Sequence, residues 1–366
     1  PDAHQFRLFD DSPTARAMEV VQPAPPNPST VADGVSLRAS RPGLRLGTSS
    51  WSFPGWKGLV YAAEHREADL ARSGLAAYAW HPLMRTVGLD RAFYQPLSVE
   101  QYADLAAQTP DDFRFLIKCH QAVTRPDADE RGRTFGDTAA LRESGAANPL
   151  FLDASYAIDR VIGPTCVGLK SRAGPIVFQF PPLDLAARGP FGGAVRFIER
   201  LGRFIERLPR AGSGAHGLPL YAVEFRNPEP LSRGDDAFRR LADTLRTHDV
   251  GYGWVAHPSM PTLSEQWAAL AAAGLGVHQQ PHLTLRWLLR RGLTYEGARE
   301  AYAPFNRHVD DDAATRNEIA ALVDDALGAG RNAWVIVNNK AEGSGPLSIE
   351  RIAARLRAEG RAGGAD

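Results

Sequence analysis

The sequence predicts an α/β protein folded as a single (β/α)8, TIM-type barrel, and three observations carry that prediction. From Leu44 onward, short runs rich in β-branched, aromatic and apolar residues alternate with longer stretches of helical periodicity. Eight such pairs occur, enough to close a parallel sheet on itself through right-handed crossovers. No GxGxxG follows the first strand and no GxxxxGK[ST] is present, so the nucleotide-binding open sheets lose their usual support.

The predicted strands are Leu44–Trp51, Thr86–Tyr94, Phe113–His120, Ile176–Phe180, Tyr221–Asn227, Val250–His257, His282–Trp287 and Ala333–Asn339. Between and after them, Ala68–Trp80, Val99–Gln108, Ala154–Leu169, Ala194–Leu208, Asp236–His248, Leu263–Ala273, Ala313–Leu327 and Ser348–Ala358 place apolar residues near i, i+3, i+4 and i+7. Unequal spacing argues against a solenoid. Two connections are long, Gln121–Ala154 and Leu288–Asp312, and in a barrel a connection leaving a strand lies on the active face. Both are candidate lids. Residues 1–42 are Pro- and polar-rich without sustained period and read as a poorly ordered leader, 43–360 as the barrel, and 361–366 as a flexible tail.

At 366 residues with 44% hydrophobic content, the chain can bury one large core. Lys+Arg and Asp+Glu are both 42, so no global field gathers nucleic acid or a membrane surface. Cys119 and Cys166 are too few for a disulfide framework or a thiolate zinc site. With no basic segment leading into an apolar run and no long apolar stretch, a cytoplasmic protein is expected.

Alternate residues of a barrel strand face inward, which lets the polar lining be read from the sequence. If Val223 and Phe225 face the helices, Glu224 and Arg226 face the barrel mouth. The same parity sends Lys118, His120, Gln179 and Arg286 inward, while the second strand offers Asp90 and the eighth closes with Asn338-Asn339-Lys340. These residues form a positively biased mouth, with Glu224 and Lys118 expected to be catalytic and Arg226, Arg286, Asp90, His120, Gln179, Asn338, Asn339 and Lys340 expected to bind substrate. Trp51 and Tyr94 are also expected to bind substrate, and Trp51, Trp56 and Tyr61 suit stacking on a ring and sealing the barrel end equally. Glu224 would act as general acid or base, with Lys118 or Arg286 neutralising developing charge. An ion-pair layer plugging the barrel is the alternative reading of Glu224 and Arg226.

No cofactor is expected. A divalent metal on His120, His257, Glu224 and Asp90 is a further alternative, without HExxH or HxH spacing to support it. The run from Asn338 to Ser348 takes a strand through a polar Gly-rich loop into a helix, which suits either an anion on backbone N–H groups or a turn capped by Ser348.

Several motifs resemble one family. Gly47-Thr48-Ser49-Ser50-Trp51-Ser52, Trp56-Lys57-Gly58, Tyr61, Tyr78-Ala79, Phe93-Tyr94, Thr109-Pro110, Phe113-Arg114-Phe115 and Lys118 are followed by Phe178-Gln179-Phe180-Pro181-Pro182, Ala222-Val223-Glu224-Phe225-Arg226 and Asn338-Asn339. In this order they resemble the YecE-like family, domain of unknown function 72, from about Leu44 to Ala358. The resemblance implies a TIM-type barrel related to sugar isomerase-like barrels, without an assigned activity. It maps polar motif positions onto Lys118, Gln179, Glu224, Arg226, Arg286, Asn338 and Asn339. The chain departs from the pattern at Gly88, where the family usually has Glu, at Asp90 in place of Asn, and after Arg286, where Trp287-Leu288-Leu289 replaces x-His-Gly.

The expected function is therefore an enzyme, of isomerase, lyase or hydrolase type, using acid–base chemistry on a small anionic or sugar-like molecule. A protein that binds or processes nucleic acid or nucleotides, and a non-catalytic ligand- or partner-binding barrel, are the alternatives.

Overall fold

The computed structural model describes residues 20–127, 148–210, 219–227 and 236–362. Eight parallel strands close into a barrel in sequence order: β1 Leu44–Thr48, β2 Met84–Leu89, β3 Arg114–Lys118, β4 Ala173–Gln179, β5 Leu220–Glu224, β6 Gly251–Ala256, β7 His282–Trp287 and β8 Asn332–Val337. β8 pairs with β1 over the full length of β1, from Leu44 opposite Ala333 to Thr48 opposite Val337. The sequence overran most strand ends by two to five residues, because the polar residues that follow a strand at the mouth continue its alternation without its ladder.

Inside the barrel, Leu116, Val177, Ala222, Trp334 and Ile336 pack on one another. The intervening residues Phe115, Ile117, Ile176, Phe178 and Val223 belong to the larger cluster between sheet and helices. The two sets confirm the predicted parity of β3, β4 and β5. Room for bulky interior side chains comes from glycine: a Cβ at Gly253 would lie 2.7 Å from that of Glu224, and one at Gly174 would lie 3.1 Å from Trp334 Nε1.

Local signals explain where the helices begin and break. Ser98 with Gln101, and Thr262 with Glu265, form capping boxes before Val99–Ala107 and Leu263–Ala272. The predicted helix Ala68–Trp80 divides at Gly74 into Glu67–Ser73 and Leu75–Trp80. Ala154–Leu169 contains a π-helical turn at Ile158–Ile162, just before Gly163 and Pro164, whose ring removes a ladder N–H. Among the described residues no helix is long and apolar enough to cross a membrane.

The expectation of a poorly ordered leader through residue 42 fails for its second half, where Pro28–Ser40 is a helix. Its buried residues are Thr30, Asp33, Gly34 and Leu37, spaced i, i+3, i+4 and i+7, yet only one of the four is apolar. A hydrophobic period cannot register such a face. Thr30 donates to Glu350 at 2.9 Å and Asp33 pairs with Arg357 at 2.6 Å, fastening this helix to the last one, Gly345–Ala362. Residues 1–19, and residues 363–366 of the expected tail, lie outside the described residues.

Candidate active site at the strand ends

The sequence places a carboxylate at the last residue of β5, and the barrel brings two guanidinium groups to it. Glu224 is fully buried. One of its oxygens accepts from Arg226 Nε at 2.9 Å and the other from Arg286 Nη1 at 3.0 Å, across 62 positions of sequence. A second Arg286 nitrogen lies 3.5 Å from Asp90 Oδ1 at the end of β2. Burial alone would raise the Glu224 carboxyl, but the charges of Arg286, Arg226 and Lys118 outweigh it and hold the group below the usual carboxylate range.

That arrangement fits the alternative reading of Glu224 and Arg226, an ion-pair layer at the barrel mouth. A carboxylate kept ionised, with both oxygens held by guanidinium groups, has no proton to give and little basicity for taking one. In this geometry it holds both Arg226 and Arg286. Gln179, its strand neighbour in the β4–β5 register, brings a primary amide to the same level of the mouth.

Lys118, the last residue of β3, is partly buried and sits with its Nζ 3.6 Å from the centre of the Phe93 ring. Among the described residues no carboxylate oxygen lies within ion-pair distance of it. Burial pushes its ammonium down to about 8; Asp90 and Glu224 oppose the shift while Arg286 and Arg226 add to it. Lys118, Arg226 and Arg286 against Glu224 and Asp90 leave the mouth with one excess positive charge.

His120 adds nothing to that excess. It is buried, contacts the Tyr156 hydroxyl through Nδ1 at 3.0 Å, and burial pushes its pKa down to about 4, so at neutral pH it carries no charge. The mouth therefore gains a neutral imidazole there. Tyr94 stands at the rim, 38% exposed, edge-on to Phe93.

The remaining candidates make contacts within the fold. Trp51 is buried, and its indole N–H donates to the Leu70 carbonyl at 2.9 Å. Trp56 and Tyr61 are fully buried, so these aromatics seal the barrel end. Asn339 accepts from Trp56 Nε1 at 3.1 Å and from the Gly345 amide at 2.8 Å. It thereby ties the β1 loop to the start of the last helix, which begins at Gly345, so Ser348 lies inside the helix and caps nothing. Asn338 donates to Ser49 at 2.8 Å, and the buried Lys340 rests its ammonium 3.9 Å above Tyr295.

The second candidate lid is a docked element. Leu289, Ala298 and Tyr302, with Leu293 and Phe305, make a small core of their own around the helix Tyr295–Tyr302. Arg290 N–H donates to the Lys340 carbonyl at 2.9 Å, and Val309 N–H donates to the Glu342 carbonyl at 2.8 Å. Gly55 meets this segment so closely that a Cβ there would lie 1.7 Å from the Pro304 carbonyl oxygen. Of the first lid, residues 128–147 lie outside the described residues.

Sequence reasoning missed Phe93 as the ring under Lys118, although Phe93-Tyr94 stood among the quoted motifs. It also missed a cluster in which His308 Nε2 lies 3.3 Å from Glu342 Oε1 and 3.8 Å from Asp311. These three side chains could converge on a cation, but Arg316 already binds both carboxylates, and Arg351 binds Asp311 at 2.8 Å. The guanidinium groups supply the counter-charge a metal would bring. Among the described residues the alternative metal set does not converge: Glu224 is held by arginines, and His257 Nδ1 contacts Ser259 at 2.8 Å.

The profile of the family described as "Protein of unknown function DUF72" matches residues 45–365. The chain belongs to the DUF72 family. Two solved members share the fold at low identity. A DUF72 family protein of Thermotoga maritima MSB8 is 19% identical, with a TM-score of 0.52 over 86% of this chain and 99% of its own. One from Enterococcus faecalis V583 is 13% identical, with a TM-score of 0.51 over 87% and 97%. No curated protein matches significantly. This DUF72 chain carries glycine at position 88, where a Cβ would come 3.3 Å from the Ser49 backbone. A glutamate there would need the first strand to yield by a few tenths of an ångström.

Proposed function

We propose that the strand ends bind a small anionic or sugar-like molecule and act on it by acid–base chemistry, with Lys118 in the role of base. The observation that carries this reading is the division of labour at the mouth. Glu224 spends its charge fixing Arg226 and Arg286, whose guanidinium groups each have five donors and use only some of them on it. Lys118 has no carboxylate partner among the described residues, and at its lowered pKa a share of the amine is unprotonated near neutral pH. A carboxylate or phosphate oxygen brought to this site would meet fixed cations at little reorganisation cost.

The test is a thermal-shift screen of small carboxylates and sugar phosphates. At a ligand concentration a hundredfold above Kd, linkage gives about 2.7 kcal/mol of stabilisation. The expected result is a shift in the parent that Arg226→Gln and Lys118→Met each remove. No stabilisation by any anion, or stabilisation undiminished in both variants, overturns the reading.

A further inference from the structure

Only four of the 42 basic residues are lysine: Lys57, Lys118, Lys170 and Lys340. The chain uses arginine almost wherever a positive charge suffices, which makes the placement of each lysine informative. Lys57 pairs at the surface with Glu64 at 3.6 Å, and Lys170 is exposed. Lys340 is buried on the rings of Tyr295 and Phe305, inside the packing of the β7 loop. Lys118 alone stands at the mouth beside two fixed guanidinium groups. What a lysine offers there and an arginine does not is an amine that can lose its proton and attack a carbon.

Three features of the geometry favour attack. The Phe93 face solvates the ammonium weakly, no carboxylate oxygen among the described residues anchors it, and Arg286 and Arg226 disfavour a third cation. Desolvation together with a neighbouring cation is the combination that activates nucleophilic lysines. Asp90 and Glu224 are the acidic groups that act against it, and both carboxylates are already paired with arginine. The same arginines suit a carboxylate on the molecule being attacked.

We propose that Lys118 condenses with the carbonyl of a small oxo acid to form a Schiff base, the acid's carboxylate being held by Arg226 and Arg286. The Nζ lone pair forms the new bond to the carbonyl carbon. The carbonyl oxygen leaves as water, taking the two protons lost by the amine, so no oxidant or reductant is needed. This inference rests on the anion site proposed above and adds to it a nucleophile and a substrate class.

The test incubates the full chain with pyruvate and sodium cyanoborohydride, whose hydride reduces the C=N bond and makes the link permanent. Intact mass and peptide mapping then locate the product. The expected result is one carboxyethyl group on Lys118, requiring both reagents, absent in Lys118→Arg and suppressed by excess malonate. Arg226→Gln should slow trapping roughly tenfold, the loss of one charge-assisted hydrogen bond. The trapping rate should rise with pH and level off above about 8, the pKa of the amine. Modification spread evenly over the exposed Lys57 and Lys170, or none at all, overturns the proposal. If pyruvate still raises the melting temperature through Arg226, the anion site survives and only the covalent step falls. If it raises nothing, both fall. Should Lys118→Arg unfold, Lys118→Met and the malonate competition carry the same decision.

Discussion

Replacing Glu224 by glutamine removes one charge and keeps the shape, which isolates what the carboxylate does. Glu224 has no exposed surface, while Arg286 and Arg226 expose 4% and 13% of their side chains, so water compensates only in part for the lost carboxylate. Breaking a buried ion pair by removing one partner costs about 3–5 kcal/mol. Asp90 remains 3.5 Å from Arg286 and the glutamine oxygen can still accept one bond, which places the expected cost near the lower end, about 3 kcal/mol. With an unfolding entropy of roughly 2.1 cal/mol/K per residue, this corresponds to a melting temperature lower by about 4 °C. Calorimetry of parent and variant between pH 7 and pH 3 reads it. The folded carboxyl titrates below its unfolded value, so its contribution is fully present above about pH 4.3 and fades as pH falls through the folded pKa. The difference between the two proteins should therefore shrink with acidification. A difference under about 0.5 kcal/mol at pH 7 would place the substitution among ordinary surface changes and refute the account of Glu224 as the arginines' counter-ion. A difference that persists unchanged at pH 3 would do the same.

Lys118→Met should stabilise the protein at pH 7 by about 1–3 kcal/mol, because the desolvated ammonium opposes folding wherever it stays protonated. Between the folded value of about 8 and the free-lysine value of about 10.4, the folded state binds fewer protons than the unfolded. Parental stability therefore rises through that window and the gain from methionine vanishes; a variant less stable than the parent at pH 7 contradicts this. Gly55→Ala drives a methyl group into the Pro304 carbonyl and should cost about 1–3 kcal/mol, with the Leu288–Asp312 segment becoming the first site of limited proteolysis. An unchanged cleavage pattern counts against the tight docking of that loop. Trp56→Phe deletes the indole bond to Asn339 inside a fully buried site, and denaturant unfolding should register about 1–2 kcal/mol, where a neutral result denies the tie a structural role.

The parity of β3, β5 and β7 was legible because strand alternation depends only on neighbours in sequence, so Lys118, Glu224 and Arg286 were found at the mouth before any contact was known. Their roles were not legible in the same way. Whether Glu224 acts as a base or as a counter-ion turns on Arg286, 62 positions away, and no local pattern reports that distance. The burial that keeps His120 neutral was not legible either. Nor did local pattern show that the Gly345 amide and the Trp56 indole use the side-chain oxygen of Asn339. The helix Pro28–Ser40 escaped because its buried face is Thr, Asp, Gly and Leu.

The molecule presents arginines at both ends of the barrel. At the N-terminal end Arg45 lies 5.4 Å from the Trp334 ring and Arg85 pairs with Asp112 at 3.1 Å, whereas Lys118, Arg226 and Arg286 gather at the other end. Anomalous diffraction from crystals soaked in selenate separates the two. The account predicts a selenium peak at the strand ends, with the selenate oxygens within hydrogen-bonding distance of Arg226 and Lys118, lost in Arg226→Gln crystals. Selenium found only beside Arg45 and Arg85, with the strand ends empty, would contradict it.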